Sequence, residues 1–202
     1  MGAMSNYPNG FAAGVSVRGM PLIQTHPGKI FWVSNSTALL PGQIGGSDGN
    51  DGSFNKPFST LDGAVGQCTA NRGDIIFVKP GHAETISSAT ALALDVAGIA
   101  VIGLGVGSLR PTFTLDTANT TTIAVSAANI TLSNILFVAN YAAIAALFTV
   151  SAAGFGVYNS EFRDTSSILN FKTIVSTSTT SNAADGLAIE DSAFNGLGAT
   201  SN

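Results

Sequence analysis

Hydrophobic and polar residues of this chain fall into short runs, and runs of one shape keep returning. Ile30-Phe31-Trp32-Val33 is a brief β-rich run. Pro57-Phe58-Ser59-Thr60-Leu61 then opens a short helix that carries Leu61, Ala64, Val65 and Cys68 on one face, and Arg72-Gly73-Asp74 breaks it. A continuous apolar strand, Ile75-Ile76-Phe77-Val78, follows and is stopped by Pro80-Gly81. Past residue 84 no stretch offers a helix of ordinary length. Runs such as Thr112-Phe113-Thr114-Leu115, Thr122-Ile123-Ala124-Val125 and Ile174-Val175 alternate inward and outward and are rich in β-branched residues.

The later runs repeat at a loose period of roughly 25 to 32 residues, the length range of solenoids. Ile99-Ala100-Val101, Ile130-Thr131-Leu132, Phe155-Gly156-Val157 and Leu187-Ala188-Ile189 stand in equivalent places. Two residues further on come Gly103, Asn134, Asn159 and Asp191, which suit a corner and predict a hydrogen-bonded ladder. Val106, Phe137, Phe162 and Phe194 come next and predict an internal aromatic stack. The strand at Ile76 and Val78 is the first member, aligned with Ile99 and Val101. This predicts an all-β parallel β-helix whose coils stack about 4.8 Å apart. Nothing after Phe194 covers the last coil, so either the chain continues or another subunit closes that end.

The stretch from Gly45 to Glu84 resembles the N-terminal cap of right-handed parallel β-helix proteins of the pectin-lyase-like type. Gly46, Asp48, Asn50, Asp51, Gly52 and Ser53 carry the resemblance, with Pro57, Phe58, Thr60, Leu61, Ala64, Gly73, Asp74, Ile76, Val78, Pro80, Gly81 and Glu84. Of these, Pro57, Phe58, Leu61, Gly73, Asp74, Pro80 and Gly81 form the structural cap it implies. The chain as a whole, including Pro21 to Gly28 and the Arg110-Pro111 turn, also resembles β-helix structural proteins of tailed bacteriophages. Three segments follow: an extended N-terminal arm (1–28), a leading strand with the cap and its short helix (29–84), and the coils (85–202).

Charge narrows the partners. Only 10% of the 202 residues are charged, and the formal net charge is −4 with eight Lys plus Arg, so there is no basic patch for nucleic acid. Tyr141 to Tyr158 lacks charge, yet Thr149, Ser151, Gly154 and Gly156 interrupt it and its period fits strands, so no membrane partner is expected. No basic-then-apolar leader opens the chain. Cys68 has no second cysteine to pair with and reads as a small buried residue.

Candidate chemistry is sparse. Asp48, Asn50 and Asp51 between Gly49 and Gly52 superficially resemble a calcium loop, the one weak metal candidate, while the cap resemblance assigns them to a tight turn. Gly103 to Ser108 follows a strand as a dinucleotide loop would, but no helix follows it, which favours a corner. His26 and His82 lack partner motifs, and Asn35, Asn119 and Asn129 sit in glycosylation sequons. In the repeat register Glu161 stands beside Leu136 and Ala193, Glu190 beside Tyr158 and Ser133, and Arg163 outside any matched column, so carboxylates do not converge as glycosidases require.

These observations set the expectation of a protein that is not an enzyme and takes no cofactor. By the phage resemblance it would be a virion protein on the capsid surface, present in the host cytoplasm during assembly. It would be a capsid decoration protein or head-fibre base, homotrimeric, anchored to the major capsid protein through Arg18, Pro21, Leu22, Ile23 and His26. The alternative is a tail-fibre or tailspike segment that binds, or also cleaves, host surface polysaccharide. Outward aromatics aligned on one face discriminate between them, the candidates being Tyr7, Trp32, Tyr141 and Tyr158, of which Tyr158 alone is expected in an outward column.

Overall fold

The computed structural model describes residues 15–17, 20–22, 28–37, 39 and 41–197. Of the expected anchoring residues, Arg18, Ile23 and His26 lie outside them, as does Tyr7. The backbone of β1 (Val15–Val17) pairs antiparallel with β2 (Met20–Leu22), the latter carrying Pro21 and Leu22. The segment expected as an extended arm thus contains a short strand pair.

From β3 (Ile30–Val33) onward the chain winds as a right-handed parallel β-helix with three sheets. The first sheet stacks β3, β4 (Ile75–Val78), β7 (Ala100–Gly103), β10 (Thr131–Ser133), β13 (Gly156–Tyr158) and β16 (Ala188–Glu190). The second stacks β5 (Ala83–Ile86), β8 (Thr112–Leu115), β11 (Leu136–Ala139), β14 (Glu161–Asp164) and β17 (Ala193–Asn195). The third stacks β6 (Ala93–Leu94), β9 (Ile123–Val125), β12 (Phe148–Val150) and β15 (Val175–Thr177).

The repeat register predicted from Ile99, Ile130, Phe155 and Leu187 is the observed one, since Ala100, Thr131, Gly156 and Ala188 are ladder partners. At the top it slips by two residues, because Ile76 pairs with Val101 rather than standing opposite Ile99. A slip of two keeps the same faces inward. Its consequence is that Asp74, not an apolar residue, takes the place above Ile99.

Inside, Phe113, Phe137 and Phe162 stack, and Phe194, 57% exposed on the last coil, continues the column, with centroids 6.1, 5.8 and 4.8 Å apart. Phe113 replaces the expected Val106, which is 79% exposed. The corner of that coil is longer, running through a 3-10 turn at Gly107–Leu109, and throws Val106 outside.

Asn134, Asn159 and Asp191 turn the other corners in left-handed backbone, with φ of 57, 50 and 51°. Their expected side-chain ladder takes another form. Asn134 Nδ2 donates to the carbonyls of Gly103 and Gly105, at 2.8 and 3.0 Å, because the long corner passes within reach. The ladder belongs to the serines one position on: Ser160 Oγ accepts from Ile135 N and Ser192 Oγ from Ser160 N, both at 3.1 Å.

A five-residue helix, α1 (Leu61–Val65), lies over the first coil and buries Leu61, Ala64 and Val65, whereas Cys68, expected on the same face as a buried residue, lies beyond the helix end and is half-buried. Thr60 caps it by accepting from Gly63 N. Phe58 bridges to Val33 and closes the free edge of β3. No helix among the described residues is long and apolar enough to cross a membrane.

Candidate functional site: an outward aromatic column and a cap cleft

Alternation along each strand of the first sheet sends every second residue outward. Because β3 joins that sheet, one outward column runs Trp32, Phe77, Ile102, Ser133, Tyr158 and Glu190. The Trp32 and Phe77 rings sit 5.0 Å apart. A side chain at Gly156 would collide with the Tyr158 ring at 2.6 Å, so the absence of a Cβ there lets the ring lie down along the sheet. The sequence reading put Trp32 outside the columns, since the pairing of β3 with β4 leaves no trace in the repeat spacing. Tyr141 is 38% exposed in the loop after β11.

Beside the upper part of this column, past the ends of β3, β4 and β7, lies a cleft of about 380 Å³ walled by Trp32, Phe54, Leu104 and Leu109 with Ser34, Ser36 and Gln43, and with Lys79 in its lining. Phe54 packs edge-on against Trp32 at 4.9 Å. The Lys79 ammonium lies 3.9 Å from the Phe54 ring centre and 5.8 Å from that of Trp32, and donates to the Phe54 carbonyl. Lys79 is 7% exposed, and burial pushes its pKa below the ordinary lysine value. Neither Phe54 nor Leu109 was singled out from sequence: both lie in irregular segments without periodic signal.

A third group occupies the outer face of the second sheet. Glu161 does stand beside Leu136 and Ala193, but it is not isolated. Arg163, two residues on and therefore on the same face, donates to its Oε1 through Nε and Nη2 at 2.9 and 2.6 Å. Asn195 donates to Oε1 at 2.7 Å, and Arg110 Nη1 reaches Oε2 at 3.2 Å from the long corner. Burial works to raise the Glu161 pKa, but Arg163, Asn195 and Arg110 outweigh it and hold the carboxyl below its usual value. Column matching overlooks such neighbours at i and i+2. With both oxygens engaged and guanidinium groups that stay charged, the cluster suits binding better than proton transfer.

The turn that carries the calcium candidates is held by their own side-chain hydrogen bonds. Asp48 accepts from Ser59 N, Thr60 N and Thr60 Oγ1 at 2.9 to 3.0 Å. Asn50 Nδ2 donates to the Gly45 and Pro57 carbonyls, and Asp51 accepts from Ser53 N. The weak calcium candidates thus spend these groups on the turn, and no group of three or more metal-ligating side chains occurs among the described residues.

Gly73 and Gly81 take φ of 78 and 76°, beside Asp74 and the exposed Pro80 respectively. His82 is 1% exposed. Its Nδ1 accepts from Asn35 N, so Nε2 carries the proton toward Glu84, 3.0 Å away. Asn35 also bonds both the N–H and the carbonyl of Ala83, completing the edge of β5. Cys68 donates to the Ala64 carbonyl, and burial pushes its thiol up to about 12, which disfavours the thiolate.

No protein-family model and no curated protein matches the chain. Among solved structures it is similar to a rhamnogalacturonan lyase, with a TM-score of 0.55 and 15% identity over 82% of this chain and 51% of that one. The chain therefore spans about half the length of that protein. The expectation that this protein is not an enzyme is corrected here: the absence of a carboxylate pair was its ground, and the same fold carries a lyase. At this identity the likeness establishes the fold alone, a right-handed parallel β-helix.

Proposed function

We propose that this β-helix recognises a polysaccharide on the outward face of its first sheet, as a segment of the phage tail-fibre or tailspike kind. One observation carries the reading: Trp32, Phe77 and Tyr158 fall in a single outward column. Sugar rings present apolar C–H faces that pack on aromatic rings, and Ser133 and Glu190 in the same column supply hydroxyl and carboxylate partners. The weakly charged surface agrees with a neutral contact. Attachment to a virion and assembly as a homotrimer enter this proposal from the resemblance of the sequence to phage proteins.

The test is affinity electrophoresis of the full chain through gels containing host surface polysaccharide, with the same mixtures assayed for new chain ends. Retardation is expected, and Trp32→Ala and Tyr158→Ala should each weaken it roughly tenfold, equivalent to about 1.4 kcal/mol. New chain ends would add cleavage to recognition. A wild-type chain that migrates unretarded in every host polysaccharide would remove the proposal.

A further inference from the structure

The cap cleft holds a cation that has no counter-ion among the described residues. Lys79 is 7% exposed, and among the described residues none of the ion pairs involves it. Its ammonium has three donors and spends one on the Phe54 carbonyl. The Phe54 and Trp32 rings ease the charge on one side. The cleft is otherwise lined by Leu104, Leu109, Pro80 and Gly81 and by the neutral side chains of Ser34, Ser36 and Gln43, none of which carries a negative charge. A buried charge is costly unless it is paired. Asp74 meets that need through Arg72 at 2.6 Å, and Asp164, 4% exposed, through the Phe171 and Leu197 N–H groups, whereas Lys79 has a single carbonyl. A cleft of about 380 Å³ beside an ammonium without a counter-ion among the described residues, with mostly apolar walls and a few polar side chains, has the size and build of a small-ligand site.

We propose that the cap cleft binds a carboxylate carried on a ring, with Lys79 as its anchoring cation and Trp32 and Phe54 as its walls. The ring is either that of a free organic acid or that of an acidic sugar, which share the chemistry the cleft selects. The proposal shares Trp32 with the polysaccharide reading, whereas Lys79 and Leu109 belong to the cleft alone, so variants at those two positions separate the failure of one from the failure of the other.

Trp32 is the only tryptophan of the chain, so its fluorescence reports on this cleft. The full chain is titrated with benzoate and with glucuronate, and with benzyl alcohol and glucose as their neutral counterparts. At least one carboxylate should change Trp32 emission saturably while its neutral counterpart does not. Lys79→Met keeps the apolar stem, and should raise the half-saturating concentration at least tenfold without lowering the melting temperature. Should that variant fail to fold, Leu109→Glu provides the second test. Leu109 is 55% exposed at the mouth, and a negative charge there should weaken the same binding several-fold.

A response to benzoate alone identifies a free aromatic acid, and a response to glucuronate alone an acidic sugar. Equal responses to acid and neutral probes would overturn the proposal. So would no saturable response to either acid, or affinity unchanged in Lys79→Met and in Leu109→Glu.

Discussion

At the top of the stack Asp74 holds the inward position that Ile99, Ile130 and Phe155 fill below it, and Glu84 the position of Phe113, Phe137 and Phe162. Both columns therefore change from apolar to acidic where they meet the cap. In the coils the members of these two columns stack on apolar side chains, and burial suffices; the inward Asp164, stacked below Ala139 in a neighbouring column, instead accepts from Phe171 N. Under the cap the facing groups are backbone N–H donors, which need acceptors. Asp74 accepts from Lys29 N, Thr69 N and the Arg72 guanidinium at 2.6 to 2.8 Å. Glu84 accepts from Leu61 N, the first residue of α1, at 2.9 Å. The comparison teaches that this solenoid ends by exchanging stacking for acceptor chemistry at the same register positions.

If stacking holds the coils, Phe137→Ala should be the most damaging change. It empties the centre of the aromatic column and should cost about 3 to 5 kcal/mol in urea unfolding. An unchanged midpoint would mean that the column contributes nothing. Asp74→Asn tests the other side of the comparison: it removes the charge opposite Arg72 and one acceptor oxygen, and about 2 kcal/mol should be lost. A loss reproduced by Arg72→Ala would assign it to the ion pair, and a larger loss in Asp74→Asn to the Lys29 and Thr69 amides.

Acid should separate the two regions. Burial acts to raise the pKa of Asp74 and of Asp48, but for Asp74 the Arg72 guanidinium with the Thr69 and Lys29 amides, and for Asp48 the Thr60 and Ser59 donors, outweigh it. Both carboxyls sit below their ordinary values. Their stabilisation is present above the unfolded value of about 4 and is lost as pH falls through the lower folded values. Trp32 fluorescence, which reports the cap, should therefore change at a higher pH than the far-ultraviolet signal of the coils. Coincident transitions would show that cap and coils unfold as one unit.

Smaller effects sharpen the register. Ser160→Ala removes the acceptor for Ile135 N and the donor to the Tyr158 carbonyl, and should cost about 1 kcal/mol. Val106→Ser should stay within about 0.5 kcal/mol, because that residue lies outside the column. A loss comparable with that of Phe137→Ala would return Val106 to the interior.

Strand alternation, the spacing of the apolar triplets and the turn-tolerant corner residues determined the solenoid, its register below the first coil, the cap helix and most of the phenylalanine column. Those features are local or periodic, so each is written into neighbouring residues or into the repeat. Tertiary structure alone decided the rest. The length of one corner expelled Val106 and brought Arg110 to Glu161. The pairing of β3 with β4 placed Trp32 above Phe77. The path of the irregular segment around Phe54 folded that ring over Lys79. These contacts join residues far apart in sequence with no common period, and packing in three dimensions is what brings them together.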